Sequence, residues 1–305
     1  MNELDGALAR LLELSGCRPT RRWIDLAARL HLLEHGTGAP LLLLHGGGGG
    51  AGNWYRLLAP LGRHARVLAP DFPGFGHSDE LPLSLPLGMQ AAHLLVQLLD
   101  ALEIARASVL GTSFGGLAAL RLARHFPDRV ERLVLLDSAG LAAAAPALLW
   151  WATRPLIDRW ALRPSRAGTR QVLRRLLTSS PLPAEHEDAL TDYLSASARA
   201  HRQSAPAALR AFLSGREQRE WLDARELAGI AAPVLLLWGE RDRFFPVAQA
   251  RAAARVLPRG QLRVLPGAGH SPNWERPELV LRELEWFLFD EVGGDDAEHA
   301  QEDPG

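Results

Sequence analysis

The sequence predicts an α/β fold in which a mostly parallel sheet lies between helices and a helical block is inserted between two strands. Short apolar runs alternate with helical patterns up to about residue 140 and again from about residue 230. Such alternation favours parallel strands joined by right-handed crossovers. Between these stretches the pattern is helical alone and is interrupted by prolines. The predicted units are therefore a core over residues 1–140 and 230–290 and a helical cap over residues 141–229.

The first elements are a helix followed by short strands. Residues 2–16 carry apolar side chains at helical spacing, and two short strands are predicted at Arg22–Leu26 and Leu30–Glu34. The run Leu41–Leu44 is apolar throughout, which is typical of a strand buried on both faces. Asn53 is a candidate N-cap for the helix that follows it.

Strands and helices then alternate through the rest of the core. The further predicted strands are Arg66–Ala69, Ala107–Leu110, Val130–Asp137, Val234–Trp238 and Gln261–Leu265. The predicted helices are Trp54–Leu61, Leu87–Ile104, Gly115–Phe126, Val247–Val256 and Glu278–Phe289. The acidic, glycine-containing residues 291–305 predict a disordered tail.

Composition excludes several classes of protein. The chain has 305 residues, of which 34 are basic and 35 are acidic. It therefore lacks the net positive charge of a nucleic-acid-binding protein. Every one of those basic residues is arginine, which excludes lysine Schiff-base chemistry and a Walker A loop. The single cysteine, Cys17, excludes an intrachain disulfide and a cysteine-rich zinc site. The partner that remains is a small molecule.

The sequence also predicts a cytoplasmic protein without stable membrane anchoring. Its first residues are acidic, whereas a secretory signal begins with basic residues. The most apolar stretch, residues 141–153, is shorter than the roughly 20 residues that span a bilayer.

A serine between a predicted strand and a predicted helix is the candidate nucleophile. Ser113 lies at the centre of Gly111-Thr112-Ser113-Phe114-Gly115. A sharp turn there raises the hydroxyl above the sheet and needs small neighbours. It also places the hydroxyl at a helix N-terminus, which favours developing negative charge. The alternative is an ordinary serine–glycine turn, but the flanking strand and helix favour the nucleophile.

A serine nucleophile needs a base, and the base needs an orienting carboxylate. His270 follows a predicted strand within Gly267-Ala268-Gly269-His270 and is the candidate base. Asp242 follows the strand before it, and Asp137, at the end of another strand, is the rival acid. Asp242 is preferred because its loop is long enough to reach the loop of His270.

The backbone N–H groups of Phe114 and Gly47 are the candidate donors to an oxyanion. Gly47 lies in the run Gly46–Gly50, where missing side chains allow a carbonyl group to approach. Candidate substrate contacts are Gly48, Thr112, Trp150, Trp151 and Trp274. The alternative for the tryptophans is packing of the cap on the core.

With serine, acid and histidine in this order, the sequence resembles the α/β-hydrolase family over about residues 20–290. The matching segments are His45-Gly46-Gly47, Asp71-Phe72-Pro73-Gly74-Phe75-Gly76-His77-Ser78, Gly111–Gly116, Gly239–Asp242 and Gly267–His270. The resemblance implies a three-layer fold with an eight-stranded, mostly parallel sheet and a cap inserted after the sixth strand. It also implies a Ser113–His270–Asp242 triad, an oxyanion hole at Gly47 and Phe114, and no metal or organic cofactor.

Within that family, serine at the nucleophile position disfavours haloalkane dehalogenases and epoxide hydrolases, which use aspartate. The glycine run and the residues after it resemble the meta-cleavage-product hydrolases, which cut carbon–carbon bonds in ring-fission dienoates. That group usually carries asparagine, tryptophan and asparagine where this chain has Thr112, Ser271 and Arg56. The sequence therefore predicts a serine hydrolase of small to medium, largely apolar carboxylic esters, with carbon–carbon bond hydrolysis as the alternative.

Two other classes of function compete with this interpretation. Gly47, Gly49 and Gly52 fit a G-x-G-x-x-G pattern, and Asp71 ends the next strand as a ribose-binding acid would. A dinucleotide-binding oxidoreductase would leave Ser113 and His270 without a role. A non-catalytic receptor on a hydrolase scaffold is disfavoured because all triad positions are filled.

Overall fold

A computed structural model describes residues 2–82, 86–144, 165–201, 207, 210–214 and 217–290. The strands are β1 (Thr20–Asp25), β2 (Arg29–His35), β3 (Pro40–Leu44), β4 (Arg66–Pro70), β5 (Ala107–Thr112), β6 (Val130–Leu136), β7 (Leu213–Ser214), β8 (Glu217–Gln218), β9 (Val234–Gly239) and β10 (Gly260–Leu265). The α-helices are α1 (Glu3–Leu14), α2 (Tyr55–Leu61), α3 (Leu87–Ala101), α4 (Phe114–His125), α5 (Arg166–Val172), α6 (Ala184–Ala200), α7 (Ala224–Ala228), α8 (Val247–Val256), α9 (Pro272–Glu275) and α10 (Pro277–Leu288).

Eight of the strands form one sheet in the order β1-β2-β4-β3-β5-β6-β9-β10. The strand β2 pairs antiparallel with both β1 and β4, and every other neighbouring pair in this sheet is parallel. The predicted eight-stranded, mostly parallel sheet is therefore confirmed.

Helices cover both faces of this sheet, as the apolar run in β3 predicts. Leu42 and Leu44 share a buried cluster with residues of α3, α4 and α8. Leu41 and Leu43 point to the opposite face and share a cluster with residues of α1, α2 and α10. Because successive side chains of a strand alternate between faces, a strand covered on both sides must be apolar at every position.

The parallel strands bring four loops to one edge of the sheet. The strands β5, β6, β9 and β10 are neighbours and run in the same direction. Their carboxyl ends lead into Ser113, Asp137, Asp242 and His270. In open α/β sheets, ligands bind outside the carboxyl ends of the strands. The fold therefore collects the candidate site residues where a substrate would bind.

The described part of the predicted cap consists mostly of helices but is not entirely helical. It holds α5, a π-helical turn at Leu173–Leu177, α6 and α7. It also holds β7 and β8, which pair as a short antiparallel ribbon, so the expectation of helices alone is wrong. Trp150, Trp151 and the tail 291–305 lie outside the described residues.

The expected N-cap of α2 is also wrong. Asn53 belongs to a 3₁₀ turn, Ala51–Trp54, and α2 begins at Tyr55 without a side-chain cap. The carbonyl of Asn53 instead accepts hydrogen bonds from the side chains of Asn273 and Trp274, at 3.1 and 2.8 Å. Contacts with α9 thus fix the chain just before α2.

Among the described residues, no helix has both the length and the apolar character needed to cross a membrane.

Candidate active site

Ser113 occupies a strained turn between β5 and α4. Its backbone angles are φ 51° and ψ −119°, a combination that costs a non-glycine residue of the order of 1–3 kcal/mol. The neighbouring glycines explain how the turn fits. A Cβ at Gly111 would lie 2.3 Å from the carbonyl oxygen of Gly115, and one at Gly115 would lie 2.1 Å from that of Leu44. The segment therefore tolerates glycine and little else on either side of Ser113.

His270 and Asp242 form a hydrogen-bonded pair at the same sheet edge. His270 Nδ1 lies 3.0 Å from Asp242 Oδ2, and the two side chains are 8% and 0% exposed. The other carboxylate oxygen of Asp242 accepts the N–H of Phe244 at 2.7 Å. The rings of Phe244 and Phe245 lie 4.6 and 5.6 Å from the imidazole ring. This arrangement orients the ring and leaves Nε2 as the nitrogen that can act as a base.

The rival acid, Asp137, does not take this position. Asp137 is completely buried, and its Oδ1 accepts the N–H of Gly239 at 2.8 Å. Burial and the adjacent carboxyl of Asp242 raise the pKa of Asp137 well above its ordinary value. Asp242 is therefore the carboxylate that faces the histidine, and Asp137 lies behind it.

The glycine run passes directly over the serine. A Cβ at Gly46 would lie 3.1 Å from Ser113 Cβ and 3.7 Å from Ser113 Oγ. Gly47 and Gly48 are exposed, and a Cβ at either would meet no atom within 4 Å. Phe114 is the first residue of α4, where backbone N–H groups lack partners within the helix. Phe114 therefore follows Ser113 with a free N–H group, and Gly47 follows the glycine that contacts Ser113.

A buried carboxylate at the end of β4 holds the glycine run in place. Asp71 Oδ1 accepts the N–H of Ala51 at 2.5 Å, and its Oδ2 accepts the N–H of His77 and the ring Nδ1–H of His31, each at 2.8 Å. Burial would raise the pKa of Asp71, but the hydrogen bond from the His31 ring holds it below its ordinary value. Because both oxygens are occupied and the side chain is 0% exposed, Asp71 cannot bind a ribose, as the dinucleotide interpretation would need.

His31, Asp71 and His77 form the group of described residues whose type and spacing could hold a metal ion. His31 and Asp71, however, already have hydrogen-bond partners in the protein. Arg21 Nε donates to His31 Nε2 at 3.2 Å, while His31 Nδ1 donates to Asp71. Both ring nitrogens of His31 are thus engaged, and the guanidinium group would repel a cation. We assign this cluster to stabilising the two loops that Asp71 joins.

The cap helix α6 contacts the same loops, and the sequence pattern did not reveal this. The hydroxyl of Tyr193 accepts the N–H of Gly52 at 3.2 Å. Ser197 Oγ accepts the N–H of Gly76 at 3.2 Å and donates to the carbonyl of Gly49 at 3.3 Å. In the sequence these two side chains are ordinary members of a helix. Their spacing of four residues places them on one helix face, but which face meets the glycine run depends on the tertiary fold.

Glu275 joins the loop of His270 to the cap, and the sequence pattern did not indicate this contact either. One carboxylate oxygen accepts the N–H of Gly269 at 2.5 Å. The other accepts the N–H groups of Ser179 and Ser180, at 2.9 and 3.0 Å. Ser271 N–H donates to the carbonyl of Leu177 at 2.9 Å. Ser271 is therefore bonded directly to the last residue of the π-helical turn. Gly269 is linked through Glu275 to the residues just after that turn.

The remaining candidate contacts occupy different places. Thr112 ends β5 and is 8% exposed, directly before the serine. Trp274 is 5% exposed and belongs to the buried cluster beneath α2. Its indole N–H donates to the carbonyl of Asn53. The backbone carbonyl of Trp274 accepts a hydrogen bond from the Arg56 side chain at 2.6 Å. We therefore assign Trp274 to support of the segment after the glycine run rather than to the substrate pocket.

Comparison with known proteins agrees with this fold. A dienoate hydrolase of Burkholderia cepacia, 2-hydroxy-6-oxo-6-phenylhexa-2,4-dienoate hydrolase, is 31% identical over 261 residues, which are 83% of this chain and 89% of that one. The crystal structure of a membrane phospholipase A has a TM-score of 0.78 at 29% identity and covers 93% of this chain and 90% of its own. The structure of a carboxylesterase from Bacillus subtilis has a TM-score of 0.76 at 21% identity, and the match covers 95% of this chain and 98% of the esterase. The family model for the α/β-hydrolase fold matches residues 39–277, and the chain belongs to that family.

Proposed function

We propose that the protein is a serine hydrolase in which Ser113 is the nucleophile, His270 the base and Asp242 the orienting acid. The observation that carries this proposal is the buried Asp242–His270 hydrogen bond, at the sheet edge where Ser113 stands in a strained turn. Strain of this kind persists only where the surrounding structure enforces it, and it is concentrated at functional sites.

The proposed reaction has two steps. Ser113 Oγ attacks the substrate carbonyl while His270 Nε2 takes its proton, and the leaving group departs with that proton. Water then attacks the acyl-enzyme with His270 again as the base, which releases the acid and restores the serine. Asp242 holds the ring in the tautomer that bears hydrogen on Nδ1. The N–H groups of Gly47 and Phe114 would stabilise the tetrahedral oxyanion, and the loss of one such donor typically costs about 10²–10³ in rate.

The substrate class that we propose is a largely apolar carboxylic ester. Three arginines of the cap that could bind a substrate carboxylate face α6 instead. Arg166 contacts Asp192 at 2.5 Å, Arg170 contacts Asp188, and Arg174 contacts Glu187 at 2.7 Å. The rings around His270 are phenylalanines. The phospholipase A name of the structure at 29% identity supports the same class.

Hydrolysis of a carbon–carbon bond in a ring-fission dienoate is the second candidate. The name of the relative at 31% identity favours it over ester hydrolysis. Thr112, Ser271 and Arg56 are the residues that distinguish this chain from that group, and two of them are buried next to Ser113 and His270. Both reactions use the same serine, so the two candidates differ in the substrate that the pocket selects.

One assay separates the candidates. Wild type, Ser113→Ala and the control Ser108→Ala, from the same strand, would be given p-nitrophenyl esters from acetate to palmitate and a ring-fission dienoate. Ester turnover that Ser113→Ala abolishes and Ser108→Ala retains supports the first candidate. Turnover of the dienoate alone supports the second. Equal activity of wild type and Ser113→Ala would refute the assigned nucleophile, and no turnover of any substrate would favour a receptor.

A further inference from the structure

Two buried carboxyl groups lie side by side behind His270. Asp137 follows β6 and Asp242 is in the loop after β9, and both side chains are 0% exposed. Gly239 joins the two residues, because its N–H donates to Asp137 Oδ1 at 2.8 Å and its carbonyl accepts the N–H of Asp242 at 3.1 Å. The oxygens of Asp242 also meet the N–H of Phe244 and the ring of His270.

Few groups donate hydrogen bonds to the carboxyl group of Asp137. Its Oδ1 accepts the N–H of Gly239, whereas its buried Oδ2 has no hydrogen-bond donor in the described part of the protein. The charged groups that act on it are the carboxyls of Asp242 and Glu275. The nearby base, His270, faces Asp242 rather than Asp137.

This arrangement favours a proton on one of the two aspartates. Burial disfavours the charged form of a carboxyl group, and a second carboxyl group nearby disfavours it further. Asp242 is the better place for the negative charge because it faces both an N–H group and His270. The proton therefore belongs on Asp137, in agreement with the raised pKa of that group.

We propose that Asp137 is a positioning residue: it carries a proton at neutral pH and donates it in a hydrogen bond to Asp242. The bond holds the carboxylate of Asp242 in the orientation that meets His270. The catalytic part of this inference rests on the proposed function, whereas the protonation of Asp137 does not.

The first test measures the proton through stability. Unfolding of wild type and Asp137→Asn would be followed in urea from about pH 5 to about pH 8, with exposed Asp25 (88% exposed) changed to asparagine as the control. If native Asp137 keeps its proton, wild type loses stability as pH rises above the unfolded aspartate pKa of about 3.9, because the unfolded chain releases that proton. The ratio of the folding constants of Asp137→Asn and wild type should then rise by up to about tenfold per pH unit. A ratio that stays constant, as expected for Asp25→Asn, would overturn the proposal.

The second test measures positioning through activity. Asparagine keeps an acceptor for Gly239 and a donor for Asp242, whereas glycine removes both and still accepts the positive φ of 45° at this residue. We expect kcat of Asp137→Asn to exceed that of Asp137→Gly by about tenfold or more, with similar KM, as for the loss of a hydrogen bond to a charged group. Equal kcat values would overturn the positioning role. If wild type turns over none of the tested substrates, the proposed function fails, but the stability measurement still decides where the proton lies.

Discussion

The backbone conformation that places the Ser113 hydroxyl at the candidate site costs the protein stability. Positive φ angles also occur at Glu103 and Asp137 among the described non-glycine residues. Glu103 is an exposed residue after α3, so its conformation serves only to end a helix. Ser113 adopts a strained conformation at the point where four loops meet.

Replacement of Ser113 by glycine should therefore stabilise the protein while it removes the proposed nucleophile. We expect a gain of about 1 kcal/mol in the free energy of unfolding, because relief of the strain exceeds the entropy that glycine adds to the unfolded chain. Urea unfolding measures the gain. Glu103→Gly is the matched control and should give a similar gain with activity intact. A destabilised Ser113→Gly variant would show that the hydroxyl, rather than the backbone, dominates the energetics of the turn.

At the scale of elements, the close approach of α4 to the sheet depends on a residue without a side chain. A Cβ at Gly115 would lie 2.1 Å from the backbone oxygen of Leu44 in β3, and a backbone atom cannot move aside as a flexible side chain can. We expect Gly115→Ala to cost about 3 kcal/mol of unfolding free energy, as measured by urea unfolding.

Gly47→Ala is the matched control for this change. Its Cβ would meet no atom within 4 Å, so its free energy of unfolding should stay within about 0.5 kcal/mol of wild type. Similar losses in the two variants would mean that the close approach to Leu44 is not what requires glycine at position 115.

Glu275 should affect catalysis from a position that touches no substrate. Glutamine in its place presents an amide N–H₂ to N–H donors that now meet a carboxylate, so either Gly269 or the pair Ser179 and Ser180 loses its acceptor. We expect kcat to fall by about tenfold, as for the loss of a hydrogen bond to a charged group, because His270 follows Gly269. Steady-state kinetics test this, with exposed Glu278 changed to glutamine as the control. A rise in KM with kcat unchanged would place the effect in the cap alone.

The sequence predicted the core elements because their signals are local. The buried run in β3 and the turn around Ser113 can be recognised from neighbouring residues. The contacts made by Tyr193, Ser197 and Glu275 could not, since each joins segments that are distant in the chain. The ribbon of β7 and β8 was missed for a related reason: strands of two residues are too short to show an alternating pattern.

At the scale of the whole molecule, the described part of the cap is attached to the core at several separate places. Glu275 accepts the N–H groups of Ser179 and Ser180, just after the π-helical turn, and Glu220 accepts the N–H of Gly88 at the start of α3. Helix α6 reaches the glycine run through Ser197 and packs against α1. The N-terminal helix therefore fixes a cap helix that in turn fixes a loop of the candidate site.

Apolar burial, rather than charge, should supply most of the stability of the contact between α1 and α6. Leu11 is 0% exposed within this contact, whereas the ion pairs Arg10–Asp192 and Arg199–Glu3 are partly exposed. Exposed pairs contribute about 0–1 kcal/mol each and are screened by salt.

Leu11→Ala should cost about 2–5 kcal/mol of unfolding free energy, and the change of its partly buried neighbour Leu12 to alanine should cost less. Urea unfolding in low salt and in about 1 M salt, where the Debye length is about 3 Å, measures both contributions. If the cost of Leu11→Ala is retained in high salt, burial holds α1 on the cap helix; if high salt destabilises wild type to the level of that variant, the ion pairs do.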